Sequence, residues 1–207
     1  MSIYANQSRP NDFYYLERFD PVAMEPYLTF INFMTYDMHG PWEEDRIGAI
    51  IRPQTSIADV RRVSVPIWFS GLSPPKINLG MAYYGRGYTT KNKDCSDIGC
   101  PYGAPSNPGR CTVSPGVLSL TEIKDLIKQR NLVPKLLPQD MIKQITYDDQ
   151  WMGYDDEETI ALKSQWADQH CLGGTATWSI DFNSGAGMSV LEYSEFCTVM
   201  YLANTEE

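Results

Sequence analysis

An α/β protein organised on a parallel sheet is what the sequence predicts, and three observations predict it. Residues 30–36 (FINFMTY) and 76–84 (KINLGMAYY) are almost uninterrupted apolar runs, the pattern of strands covered on both faces. A helix-forming segment lies between them. A third run, TATWSI at 175–180, follows another helical stretch that Gly173-Gly174 ends. Strand, helix, strand is the order that a crossover-connected parallel sheet requires.

Each element has a local reason. The first run opens into the polar turn DMHGPWEED, and beyond Arg52-Pro53 a short helix starts at Ser56, whose hydroxyl can cap it. Ile57, Val60 and Val63 form its apolar face, and Pro66 is expected to limit its length. Ser73-Pro74-Pro75 turns the chain into the second strand. Residues 85–149 then change character, with three cysteines, several prolines and the turn NPGR, and read as an α+β insertion too long for an ordinary connection. It holds its own helix: Ser119 and Glu122 form a capping box, followed by Ile123, Leu126 and Ile127 on one face. Residues 157–170 are helical in pattern, and Val190, Tyr193, Cys197 and Met200 space a final helix. The division expected is a tail at 1–10 with no assigned role, a sheet part at 11–84, the insertion at 85–149 and a second sheet part at 150–207.

Composition narrows the partners. Seventeen Lys and Arg stand against 26 Asp and Glu, a net charge of −9, which argues against a surface that neutralises nucleic-acid phosphates. No apolar run approaches the length that spans a bilayer, so no membrane partner is expected. Thirteen Tyr and five Trp suit a neutral ligand, since flat rings stack on apolar ligand faces while their polar tips hydrogen-bond. Five cysteines leave at least one without a partner in the chain. Cys95, Cys100 and Cys111 are close enough in sequence for a local disulfide. Zinc is disfavoured because CSDIGC is not the C-x-x-C spacing and His39 and His170 are distant. No metal and no organic cofactor is implied. The N-terminal residues lack the apolar core of a secretory signal, so either the protein stays inside the cell or its true start lies upstream.

In parallel α/β proteins working residues collect where strands end and loops begin. Three such ends stand out: MTYDMHGPWE at 34–43, GMAYYGRGYT at 80–89, and TWSIDFN at 177–183. Together they resemble the sixth, seventh and eighth strands of the glycoside hydrolase family 18 barrel, the chitinase family, and particularly its fungal killer-toxin-like branch. The first matches the family's M-x-Y-D motif and the second its Y-x-G-R-x-[FY] pattern, after which the family commonly carries a chitinase insertion domain. The resemblance covers residues 11–185 and implies part of a (β/α)8 TIM barrel bearing that α+β insertion.

The resemblance implies substrate-assisted, retaining hydrolysis of β-1,4-linked N-acetylglucosamine polymers, a route outside the two-carboxylate mechanism. The substrate's acetamido oxygen attacks the anomeric carbon, so the protein supplies an acid and the dipoles that orient the oxazolinium ring. By motif position Tyr36 and Asp37 would orient the acetamido group. Trp178 would floor the sugar subsite with Met34 beside it, Tyr83 and Arg86 would bond sugar hydroxyls, and Trp42 would stack on the leaving-group side. The partner implied is chitin or a chito-oligosaccharide, and the full-length parent would be secreted.

Plainer duties compete for several of these residues. Trp178 could fill a barrel interior, Arg86 could serve a surface ion pair, and Asp37 could cap a turn. His39 reads as a loop residue. The pairs Asp148-Asp149, Asp155-Asp156 and Glu157-Glu158 read as a solvated face or a first helical turn. The family's acid-bearing D-x-x-D-x-D-x-E series is absent: Asp94 and Asp97 satisfy its first interval, but position 99 is Gly. A complete barrel typically takes about 250 residues, so strands six to eight alone would leave an open edge, and the chain alone is expected to lack hydrolytic activity. A saccharide-binding, lectin-like protein without catalysis is the alternative.

Overall fold

The computed structural model describes residues 2–4 and 20–183. Two sheets divide the work. A four-stranded parallel sheet has the order β1 (Ser2–Tyr4), β2 (Ile31–Met34), β3 (Ile77–Ala82) and, last in chain order, β10 (Gly174–Trp178). The sheet is open, and no closed barrel is present among the described residues. Its first strand corrects the expectation of a tail without a role, because Ser2–Tyr4 pairs in parallel with residues 32–34.

Helix α1 (Ile57–Ser70) connects β2 to β3, and α2 (Leu120–Arg130) and α3 (Glu157–Gln169) follow later in the chain. The cap at Ser56 forms as its sequence position suggests, its Oγ accepting from the Asp59 amide. The helix nevertheless runs through Pro66 and ends at Gly71 in the left-handed conformation. Proline there removes one backbone bond, but burial of Ile57, Val60 and Val63 holds the preceding turns, so the helix is not cut short. These residues form one core with Ile31, Phe33, Ile77, Leu79 and Met81 of the sheet and Trp166 of α3.

The second apolar run does not stay one strand. It leaves the parallel sheet at Tyr83, and the chain enters an antiparallel sheet as β4 (Tyr84–Thr90). Hydrophobicity alone could not reveal this break, because the apolar run continues through Tyr83 to Tyr84, the first residue of β4. The antiparallel sheet is six-stranded, with β5 (Tyr102–Pro105), β4, β9 (Gln150–Tyr154), β8 (Ile142–Tyr147) and β7 (Lys135–Leu137) in order and β6 (Val117–Ser119) pairing β4. It therefore runs on to Tyr154, past the expected boundary at 149. Helix α2 packs on it through Leu120 and Ile123 against Ile145, Met152 and Tyr154. Its capping box is complete, with the Ser119 amide donating to Glu122 Oε2 at 3.0 Å and the Glu122 amide donating to Ser119 Oγ at 3.2 Å.

Helix α3 begins at Asp156, which accepts from the amides of Glu158 and Thr159, and β10 ends two residues earlier than expected, before a 3-10 turn at Ile180–Phe182. The helix expected over Val190–Met200 lies outside the described residues.

Candidate functional site

The strand ends meet where the parallel sheet abuts the insertion. Met34 ends β2, Ala82 ends β3 and Trp178 ends β10, and Trp178 pairs directly with Ala82. Tyr36 follows β2 and is buried with Ala82 and Tyr84, and Met34 and Phe182 pack against that cluster. Gly80 permits the close approach of the Tyr36 ring: a Cβ there would lie 3.0 Å from the ring and 2.7 Å from the Phe33 carbonyl. Tyr36 and Tyr84 meet edge to face at 6.4 Å.

Asp37 sits at the centre, with its backbone in the left-handed region (φ 54°) that Asp tolerates better than most residues. Its Oδ1 accepts from the Tyr84 hydroxyl and from Arg86 Nε, each at 2.6 Å. Bonds of this length to a charged acceptor are the strong kind and fix the carboxylate in place. Burial pushes the Tyr84 phenol upward, and the charge and hydrogen bond of Asp37 add to that. For Arg86 burial works against the charged form, but the bond and charge of Asp37 outweigh it, so the net shift is upward. Arg86 also lies over the Trp42 ring at 4.6 Å.

The structure places two further expected site residues. Tyr83 is packed against the core beneath α2, and the hydroxyl that reaches Asp37 belongs to its neighbour Tyr84. Strand alternation separates the two tyrosines, since adjacent residues face opposite sides and the chain changes sheets between them. Trp178 is not interior filler: it is 57% exposed, and Trp42 is 41% exposed. Both rings are partly exposed, Trp42 with Arg86 over it, and the Asp37 carboxylate is partly enclosed.

Three buried residues outside the expected set complete the site. Gln54 holds both sheets, its Oε1 accepting from the Asp37 amide at 3.2 Å and its Nε2 donating to the Tyr84 carbonyl at 2.9 Å. His39, a loop residue as read, is buried between Glu43 Oε2 at 2.8 Å and Asp59 Oδ2 at 3.0 Å. Glu43, buried as well, also accepts from the Gly40 amide. The only available signals were a histidine four residues from a glutamate and a cap residue on the next helix.

The remaining acids have structural employment. Asp97 bonds Lys135 and Gln144, which hold its carboxyl below the usual range. Asp148 pairs with Arg130, Asp155 with buried Lys163, Asp156 with Lys143, and Glu157 with Lys124. Among the described residues no group of His, Cys, Asp and Glu is placed to hold a metal ion. Cys95 and Cys100 form a disulfide, Cys111 is also disulfide-bonded, and Cys171 is a free, exposed thiol. No helix among the described residues is long and apolar enough to cross a membrane.

Known proteins are similar to this chain in sequence and fold. An endochitinase of Brugia malayi is 29% identical over 164 residues, which is 75% of this chain and 32% of that protein. The structure of a plant class V chitinase mutant from Cycas revoluta in complex with (GlcNAc)3 superposes with a TM-score of 0.75 at 22% identity, covering 97% of this chain and 54% of the other. Human YKL-39, described as a pseudo-chitinase with retained chitooligosaccharide binding properties, gives 0.73 at 23% identity, covering 88% of this chain and 52% of its own. The chain thus spans about half the length of these solved proteins and about a third of the endochitinase. The family model "Glycosyl hydrolases family 18" matches residues 1–183, nearly every residue described above, and the chain belongs to that family.

Proposed function

We propose that this chain is the saccharide-orienting portion of a chitinase of the killer-toxin-like branch. In this reading the parent cleaves β-1,4-N-acetylglucosamine polymers by substrate-assisted retention, and the 207-residue chain by itself binds the sugar without cleaving it. One observation carries the reading: Asp37 is held by Tyr84 and Arg86 at the carboxyl ends of parallel strands, with Arg86 also lying over the Trp42 ring and the exposed Trp178 ending another strand of that sheet. A fixed carboxylate beside the Tyr36 ring suits an acetamido group, and open indoles suit the apolar faces of pyranose rings. No acid series is present in the sequence to protonate the leaving oxygen, a contribution on the order of 10²- to 10⁴-fold. The Cys95–Cys100 disulfide favours an extracellular parent.

The purified chain is expected to bind an N-acetylglucosamine tetramer in calorimetry. Trp178→Ala should weaken that binding about tenfold, as loss of one stacking ring does, and release of chromophore from a chromogenic chitobioside should stay at background. Turnover that Asp37→Asn abolishes would show that the chain holds an acid after all. A second reading, a lectin-like binder whose parent has no catalysis either, is favoured by the pseudo-chitinase described among the similar structures. Activity of the parent that an upstream acidic residue controls would decide between them.

A further inference from the structure

Among the contacts of the loop that carries Trp42, one side chain links it to the helix that follows. His39 presents Nδ1 to Glu43 and Nε2 to Asp59, and an ionised carboxylate only accepts hydrogen bonds. Both bonds can therefore form at once only when both ring nitrogens bear protons. Asp59 belongs to the first turn of α1, where its amide is bonded to Ser56, so His39 ties the loop after β2 to that helix. Glu43 closes the same loop on itself through the Gly40 amide. Trp42 lies between these two anchors. Its ring covers Gly40 so closely that a Cβ there would stand 2.2 Å from it, and Arg86 lies on the ring as well.

We infer that His39, as an imidazolium, is the positioning residue that clasps the Trp42 loop to α1, and that proton loss from it frees the ring and weakens ligand stacking on it. This deepens the saccharide reading above and rests on it for the nature of the ligand. Loss of one proton leaves a nitrogen lone pair facing a carboxylate at about 3 Å in a buried site, which repels instead of bonding. Burial works against the charge on His39, but the bonds from Asp59 and Glu43 outweigh it and raise the group to about 8. Other ionisable groups also face the cluster. Arg62 lies on the far side of Asp59, and Arg86 on the Trp42 face; the Tyr88 phenol, whose titration feels Glu43, is pushed upward by burial.

The test is nuclear magnetic resonance on the full chain from pH 6 to 9.5, with the Trp42 indole signal assigned by Trp42→Phe. His39 is expected to titrate near 8, with the Trp42 signal moving at the same midpoint. Glu43→Gln keeps an oxygen for Gly40 but removes one charge, and should lower the shared midpoint by about one pH unit. Affinity for the N-acetylglucosamine tetramer should fall about tenfold across the same midpoint. Titration of His39 near 6.5, or a Trp42 signal that ignores it, would overturn the clasp. Coupled titration of His39 and Trp42 with no tetramer binding at any pH would uphold the clasp and refute the saccharide reading alone.

Discussion

At Asp37 one oxygen takes two short bonds, one of them from the Tyr84 hydroxyl, and Tyr84 and its neighbour Tyr83 should differ in what loss of the hydroxyl does. Tyr84→Phe keeps the ring that packs on Tyr36 and Phe182 and removes only the hydroxyl, so it is expected to cost about 1.5–3 kcal/mol in urea denaturation, the usual worth of a hydrogen bond to a charged group. Tyr83→Phe should cost well under 1 kcal/mol, because its side chain packs under α2 away from the carboxylate. Equal losses would show that the two tyrosines share the role. Sequence reading found Asp37, Arg86 and the tryptophans because charged and aromatic residues directly after an apolar run are conspicuous. It gave no sign of the Tyr84 hydroxyl on Asp37, since the break at residue 83 leaves no mark in an unbroken apolar string. The roles of Gln54 and His39 were not legible for a related reason: Gln54 bonds residues 17 and 30 positions away, and His39 reaches Asp59 20 positions on.

Elements in this protein are joined by buried polar links as well as by apolar faces. Lys163 of α3 donates to the Thr55 carbonyl at 2.7 Å and to both oxygens of Asp155 at 2.6 and 2.7 Å, while the Thr55 hydroxyl donates to Asp155. Burial pushes the lysine downward against that partner. Lys163→Met is expected to destabilise by about 3–5 kcal/mol, since Asp155 would stay buried and unpaired, whereas adding Asp155→Leu should recover most of the loss. Chemical denaturation of the single and double variants checks this, and an additive double variant would contradict it. The β2–β3 contact gives a second test. Gly80→Ala would place a methyl 2.7 Å from the Phe33 carbonyl and should cost about 1–3 kcal/mol by forcing the strands apart. The start of helix α2 was legible because its cap chemistry is local, while the length of α1 was not, because tertiary packing decided it against Pro66.

Across the whole molecule the titrating groups define a pH window. His39 is higher in the folded chain, at about 8, than its ordinary 6.5, so the stability it contributes is complete below 6.5 and lost as pH rises through 8. The expected loss is about 2 kcal/mol between pH 6 and 9.5, read from urea midpoints. Asp59 is held below its ordinary value: burial opposes this, and the bonds from His39 and Arg62 outweigh it. Its contribution is present above 3.8 and disappears as pH falls through the lower folded value. The two statements describe one ion pair from either side and do not add. A flat profile from pH 6 to 9.5 would mean that the imidazole has no net attraction for its neighbours. The global plan was partly legible. Parallel strands and an insertion followed from apolar runs and a change in composition, but β1 did not, since three residues in a polar stretch give too short a period to recognise.

The step from Ala82 to Tyr84 places Asp37 on the exit of one sheet and both of its side-chain donors on the first strand of the other. The carboxylate is therefore a rivet as well as a tool. Should a descendant of this sequence give up its ligand altogether, position 37 would still resist replacement, and retention of an aspartate there is poor testimony that any sugar is still turned over.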